Sequence, residues 1–435
     1  MSTSTHDISS VSDHDNDHVK RFRASYSWLS QARLAINIPD LSAYEDTLQV
    51  IGEISKYTKR CYVLTVEGQE LSIAQRQEWP HLSLVPLSRQ RFPNRAARWI
   101  TQRVAAEGVE VIHDFFGHFS RFCERAHKPQ RPYIMVHTQR TTNWGWFDRV
   151  RPKRYQIDKR YASQRARSLW YDTRIIHAVD HVTVMGPGHE RDLIHGHRLS
   201  PDKVTFIPSE TDSDRFTPRG QSNDKETISA SSITDQVLTL LYVGAFVRAK
   251  GLEILFDLFE QLGAEYSNLQ LILIGRETPF ERRWFQERVR AHPLSERLEV
   301  YSFMPREELI DHYRSAHLFV FPSLFEGSPR ALREAVACGL SVVASEIPGH
   351  RGVDPQERFI RFAPLDCLNT WIKLTREALT ESSFDREQRV ERGVQWLRTH
   401  HHPKVIAQRW LMLYHQIAQR RGLTQSSSKT HSDLS

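Results

Sequence analysis

Cysteine is scarce: Cys61, Cys123, Cys338 and Cys367 are scattered through 435 residues and never form a CxxC pair. That spacing argues against a disulfide framework or a cysteine zinc site, and a reducing compartment is expected. Apolar runs of about 18 residues are also missing, so no helix is expected to cross a bilayer. The first residues, MSTSTHDISSVSDHDNDH, lack the basic and apolar regions of a secretion leader. A cytoplasmic location is therefore expected, or a peripheral one at the inner face of the membrane. No internal repeat is visible. What is present is enough apolar material for real cores, 39% of the chain, and a length that suggests two or three domains. The net charge of +7 favours an anionic partner: nucleotide phosphates, anionic lipid or nucleic acid.

In chain order, residues 1–28 read as a disordered tail. Apolar strands then alternate with helical segments: Arg33 to Ile38, Arg60 to Val66, Leu82 to Val85, Val109 to His113, Tyr133 to His137, Val182 to Val184 and Val204 to Ile207. This rhythm indicates a parallel α/β sheet over residues 29–217. Residues 218–236, polar and rich in Ser and Thr, read as a linker. The rhythm restarts over residues 237–394, with strands at Leu238 to Val243, Leu269 to Ile274, Leu298 to Tyr301, Leu318 to Phe321 and Ser341 to Ala344. Two doubly wound domains in tandem are expected, with a site in the cleft between them. Residues 395–420 read as helical, with Pro403 breaking the helix or starting its second part, and 421–435 as a loose tail.

The stretch from Phe319 to Gly349 carries the most chemistry. A buried strand ends at Pro322 and Ser323, and Glu326-Gly327-Ser328-Pro329 is turn chemistry. Pro329 suits the first turn of a helix running to Cys338, and Gly339 is a natural left-handed stop. Glu326 precedes this helix and Glu334 lies inside it. Free N–H groups and the dipole at a helix N-terminus accept a phosphate. Carboxylates nearby can accept hydrogen bonds from sugar hydroxyls. The combination suits a nucleotide sugar, although an ordinary crossover with a solvated Glu334 fits the spacing equally well.

FEGSPRALREAVACGLSVVAS resembles the signature of the family 4 retaining glycosyltransferases, which have the GT-B fold. The pattern is Glu, seven residues, Glu, then Ala, a small residue, Gly and a Val-rich strand. The resemblance implies two Rossmann-like domains facing a cleft and a terminal helix that crosses back to the first. It further implies transfer of a sugar from a nucleotide diphosphate with retention. Glu326 then binds donor-sugar hydroxyls and Glu334 the ribose, with amides near Gly327 and Ser328 helping to hold the diphosphate.

Other stretches add candidates. In LYVGAFVRAKG a strand ends at Gly244, and the following loop carries Arg248 and Lys250, two cations placed to hold a diphosphate. Lys250 matches the family's lysine, but Ala245 stands where the family has arginine. Either Arg248 supplies the missing charge or one cation suffices; a solvated basic loop is the plain alternative. IMVHT ends a strand at His137, which resembles the His-Thr pair that approaches the donor sugar in several family members; a buried structural histidine is the alternative. His113 is a weaker candidate of the same kind. LILIGR ends at Gly275, where the family's loop lies near the base. Asp40 to Ala43 lacks the glycines that the family often has there. Asp212 and Asp214 form a DxD beside the linker, to which no metal role is given. His189, His195, His197 and His400 to His402 read as surface.

Trp144 to Arg174 interleaves aromatics with Arg and Lys. It suits contact with an anionic membrane that presents a lipid-linked acceptor, or it is a solvated excursion. The donor signature argues against nucleic acid. The expected function is retaining transfer to a glycan, lipid-linked or small-molecule acceptor, as in polysaccharide biosynthesis, with no metal or other cofactor required. The rival is a nucleotide-sugar-binding protein without transfer.

Overall fold

The computed structural model describes residues 26–116, 131–140, 163, 173–218, 237–302 and 304–424. Of the anticipated segments, the tail 1–28 up to residue 25, the linker 218–236 from residue 219, the tail 421–435 from residue 425 and most of the basic stretch Trp144–Arg174 lie outside the described residues.

The first sheet holds seven strands: β1 (Arg33–Asn37), β2 (Arg60–Val66), β3 (Leu82–Leu87), β4 (Val111–Asp114), β5 (Ile134–Gln139), β6 (His181–Val184) and β7 (Val204–Phe206). Their order is β3-β2-β1-β4-β5-β6-β7. The second sheet holds β8 (Leu238–Val243), β9 (Leu269–Ile274), β10 (Leu298–Tyr301), β11 (Leu318–Phe321), β12 (Val342–Ser345) and β13 (Ile360–Ala363), in the order β10-β9-β8-β11-β12-β13. Every pairing is parallel. In both sheets the order of strand addition reverses once, between β1 and β4 and between β8 and β11, which is where doubly wound sheets open a crevice.

The strands read as continuous apolar runs because helices cover both faces. Leu34, Ala35 and Ile36 in β1 and Leu318, Phe319 and Val320 in β11 are fully buried. Strand β13 has no counterpart in the sequence reading, since Arg361 interrupts its short apolar run. The ordered fold also begins earlier than expected: Ser27–Gln31 is helical and Leu29 is buried in the first core.

The C-terminal segment divides into helices Ser383–His400 and Pro403–Arg420, with Pro403 in the first turn of the second. The first packs on the helix Arg330–Ala337 of the second domain, and Gly393 permits the close approach to Val336. The second places Ile406, Trp410, Leu411, Tyr414 and Ile417 in the core of the first domain. The crossing-back helix is thus present, and it buries a full apolar stripe against the helix Glu45–Ser55 and the sheet.

Candidate functional site

The loop after β8 and the loop after β11 are pressed together at the carboxyl edge of the second sheet. Gly251 has φ +72°, and a Cβ there would lie 1.9 Å from the Pro322 carbonyl oxygen. Only glycine combines that backbone with that contact. The Leu324 amide donates to the Ala249 carbonyl at 3.0 Å. These contacts put Lys250 Nζ 2.5 Å from Glu326 Oε1, which also accepts from Ser323 Oγ at 2.8 Å. Burial pushes the Glu326 carboxyl up, but Lys250 outweighs it, helped by His350 and Ser323, and the net direction is down. Glu326 is held as a carboxylate.

A histidine stands behind this pair. His350 is fully buried and donates from Nδ1 to the Ser345 carbonyl at 2.9 Å, while Ser345 Oγ donates to the Ser323 carbonyl. Burial brings His350 down to about 4, so it is neutral. From the first domain, the turn after β6 closes on the same place: a Cβ on Gly186 would lie 2.1 Å from the Gly327 carbonyl oxygen, and His189 stacks on Phe325.

Glu334 sits elsewhere, in a second cluster between the domains. It is 3% exposed, and its Oε2 accepts from Tyr313 Oη at 3.1 Å. Its Oε1 lies 3.6 Å from both Arg306 and Arg330. Burial raises its carboxyl despite those cations. Arg306 in turn clamps Asp46 of the first domain with two bonds, at 2.6 and 3.1 Å. Arg330 donates to the Ala43 carbonyl at 2.8 Å. Arg333, 2% exposed, donates to Thr211 Oγ1, Ser328 Oγ and the Glu210 carbonyl, and burial lowers it to about 10.

The expected cradle of two glutamates and two cations is therefore only partly assembled. Lys250 and Glu326 meet. Arg248 does not join them: its guanidinium lies 4.3 Å over the Trp284 ring and 3.7 Å from Glu253. The aromatic face and the carboxylate hold the charge within the domain. Gly244 and Gly275 serve close packing, since a Cβ on Gly275 would lie 1.7 Å from the Gly244 carbonyl oxygen. Pro329 flanks the helix as its N-cap residue, and the side chain of Ser328 is taken by Arg333.

His137 lies inside β5, which runs on to Gln139 rather than ending at the histidine, and it is 3% exposed. Its Nε2 contacts Gln139 Oε1 at 2.9 Å and its Nδ1 lies 3.5 Å from Asp114. His113 is structural, bonded to Tyr414 and Thr138 in the core. The surface assignment of the other histidines fails for His189, His197 and His401, which are buried. Asp212 accepts from Gln49 at 2.6 Å and Asp214 pairs with His402 at 3.0 Å, so each DxD carboxylate has its own partner. Among the described residues no group of three or more His, Cys, Asp or Glu is arranged to hold a metal, and no helix is long and apolar enough to cross a membrane.

Sequence reasoning missed Arg306, Arg333, Asp46 and His350. Arg333 beside Glu334 inside a buried helix was the available signal; the others join only through tertiary packing.

Residues 223–353, which include Lys250, Glu326 and Glu334, match the family model described as "Glycosyl transferases group 1". The Saccharomyces cerevisiae phosphatidylinositol N-acetylglucosaminyltransferase GPI3 subunit is 22% identical over 222 residues, 50% of this chain and 48% of that protein. The chain thus spans about half the length of this relative. Among solved structures, sucrose-phosphate synthase from Thermosynechococcus elongatus superposes with TM-score 0.70 at 20% identity, covering 90% of this chain and 100% of that one. Anabaena HepE, solved in complex with UDP and glucose, superposes with TM-score 0.65 at 12% identity over 88% of this chain and 99% of its own. The two-domain fold is GT-B.

Proposed function

We propose that this protein is a glycosyltransferase that moves a sugar from a nucleotide diphosphate to an acceptor hydroxyl, with retention, as in family 4. The observation that carries the reading is the Lys250–Glu326 pair at the carboxyl edge of the second sheet, inside the stretch that matches the glycosyltransferase model. The donor diphosphate sits against Lys250 and the amides near Gly327 and Ser328, where its negative charge is offset as it leaves. That anion takes up Lys250, and Glu326 turns its carboxylate to the donor-sugar hydroxyls. The acceptor hydroxyl attacks from the face the diphosphate leaves, and a phosphate oxygen takes its proton. No side chain serves as nucleophile and no divalent metal is required. His137 approaches from the first domain, and closure of the Gly186 turn over Gly327 excludes water. Glu334 binds the ribose once donor binding loosens it from Tyr313.

The donor class is supported by the HepE complex with UDP and glucose, and a lipid-linked acceptor by the GPI3 relative, whose own name includes phosphatidylinositol. That relative is also named as a subunit, which favours partner chains. A cytoplasmic or inner-membrane-face location fits such an acceptor. The test is incubation of the pure protein with UDP-sugars and inositol-lipid or glycan acceptors in the presence of EDTA, with the product's anomeric configuration read by NMR. Retained configuration supports the reading. Inverted product, or dependence on divalent metal, overturns it. A second reading, nucleotide-sugar binding without transfer, is favoured by Ala245 in place of the family arginine and by Arg248 being held at Trp284. Donor binding without turnover across the acceptors would support that one.

A further inference from the structure

A cavity of about 600 Å³ opens at the seam between the domains. Its walls come from three parts of the chain: the turn after β6 in the first domain, the Pro348–Arg351 turn in the second, and the two C-terminal helices. The Gly186–Gly327 contact and the fit of Gly352 against Pro187 stand between it and the Lys250–Glu326 pair. Phe206, Pro348 and Trp396 give it an apolar floor, and Arg191, Arg351 and Arg409 bring positive charge from all three walls.

The charges are unevenly compensated. Arg351 is paired with Glu346 and Glu357. Arg191 and Arg409 have no carboxylate partner among the described residues, and burial lowers Arg409 with no acidic group acting against it. His401, also in the lining, donates to the Ser209 carbonyl at 2.8 Å and stays neutral, so it adds no charge. A half-buried guanidinium without a counter-ion is costly unless something anionic joins it. The size is that of an ordinary small-molecule site.

We infer that this seam cavity is a second binding site, for a small organic anion whose charged head pairs with Arg191 and Arg409 while an apolar or ring portion packs on Phe206 and Pro348. Because Arg191 belongs to the first domain and Arg351 and Pro348 to the second, an occupant bridges both and stabilises their closed arrangement. The inference does not rest on the transferase reading.

The probe is 1-anilinonaphthalene-8-sulfonate, with N-phenyl-1-naphthylamine as its uncharged counterpart. Fluorescence titrations use the full chain and the variants Arg409→Met, Arg191→Met and Lys250→Met. One-to-one binding of the sulfonate is expected, weakened about tenfold or more in each cavity variant. The neutral ring should bind all variants alike, and Lys250→Met should bind the sulfonate as wild type does. Arg191 is exposed, so its variant reports even if Arg409→Met folds poorly. Equal sulfonate affinity in wild type and Arg191→Met overturns the inference, as does a loss confined to Lys250→Met, which would put the probe in the donor cleft.

Discussion

Glu326 and Glu334 belong to one sequence motif and one local element, yet they occupy two different regions. Glu326 faces Lys250 at the edge of the second sheet and is driven toward its charged form. Glu334 faces the first domain through Arg306 and Asp46, and burial pushes its carboxyl the other way. Seven intervening residues of turn and helix rotate the two side chains to different faces. One region is a single Lys–Glu pair at a sheet edge. The other is a buried network that fastens the domains together, with Arg333 adding three bonds to the first domain's last loop and to Ser328. The same pair of acids thus makes an ion pair at one end and an inter-domain attachment at the other.

The sharpest way to break this contrast is Glu326→Gln. Transfer should fall by about 4 kcal/mol of barrier, roughly a thousandfold, because the sugar contacts tighten in the transition state. Melting temperature should barely change. Glu334→Gln should instead raise the donor KM with kcat kept, and equal losses of kcat in the two variants would erase the distinction.

Next comes Arg306→Ala, which leaves Asp46 and Glu334 buried without their shared cation. Unfolding by urea should show a loss of about 3 kcal/mol. No loss would mean that this network is not what fastens the domains.

Acid should weaken both regions together. His350 stands behind Glu326, and His401 feels the Arg333 charge; burial brings them to about 4 and about 3 from an ordinary 6.5. Their folded values lie below the unfolded ones, so the unfolded chain binds more protons in this window. The stability they confer is complete above pH 6.5 and is lost as pH falls toward 4. Through these two histidines the unfolding free energy read from urea melts should drop by about 2 kcal/mol between pH 6.5 and 5.5, and His350→Asn should remove about half of that slope.

The smallest effect is expected at Gly186→Ala. The added methyl meets the Gly327 carbonyl and holds the cleft open at a cost of about 1–2 kcal/mol. Turnover should fall while each domain stays folded, as read by kcat against far-UV circular dichroism.

The second domain was largely legible in the sequence because its strands are uninterrupted apolar runs closed by Gly or Pro, as in Leu238–Val243 and Leu318–Phe321. The Pro403 boundary was readable for the same local reason. The functional side chains were less so. Arg248 sits two positions from Lys250 in sequence, but the Trp284 face and Glu253 take its charge once the chain folds. His189 and His401 carry polar rings that sequence assigns to the surface; stacking on Phe325 and a bond to the Ser209 carbonyl bury them. Arg306 and Asp46 lie 260 positions apart, and no local pattern announces a contact of that range.

Calorimetric titration of a nucleoside diphosphate, UDP first, into Lys250→Met and Arg248→Met tests the donor assignment most directly. The Lys250 variant should lose about tenfold or more in affinity and the Arg248 variant should stay within about twofold of wild type. Unchanged binding in Lys250→Met, or a larger loss in Arg248→Met, would contradict the placement of the diphosphate beside Glu326.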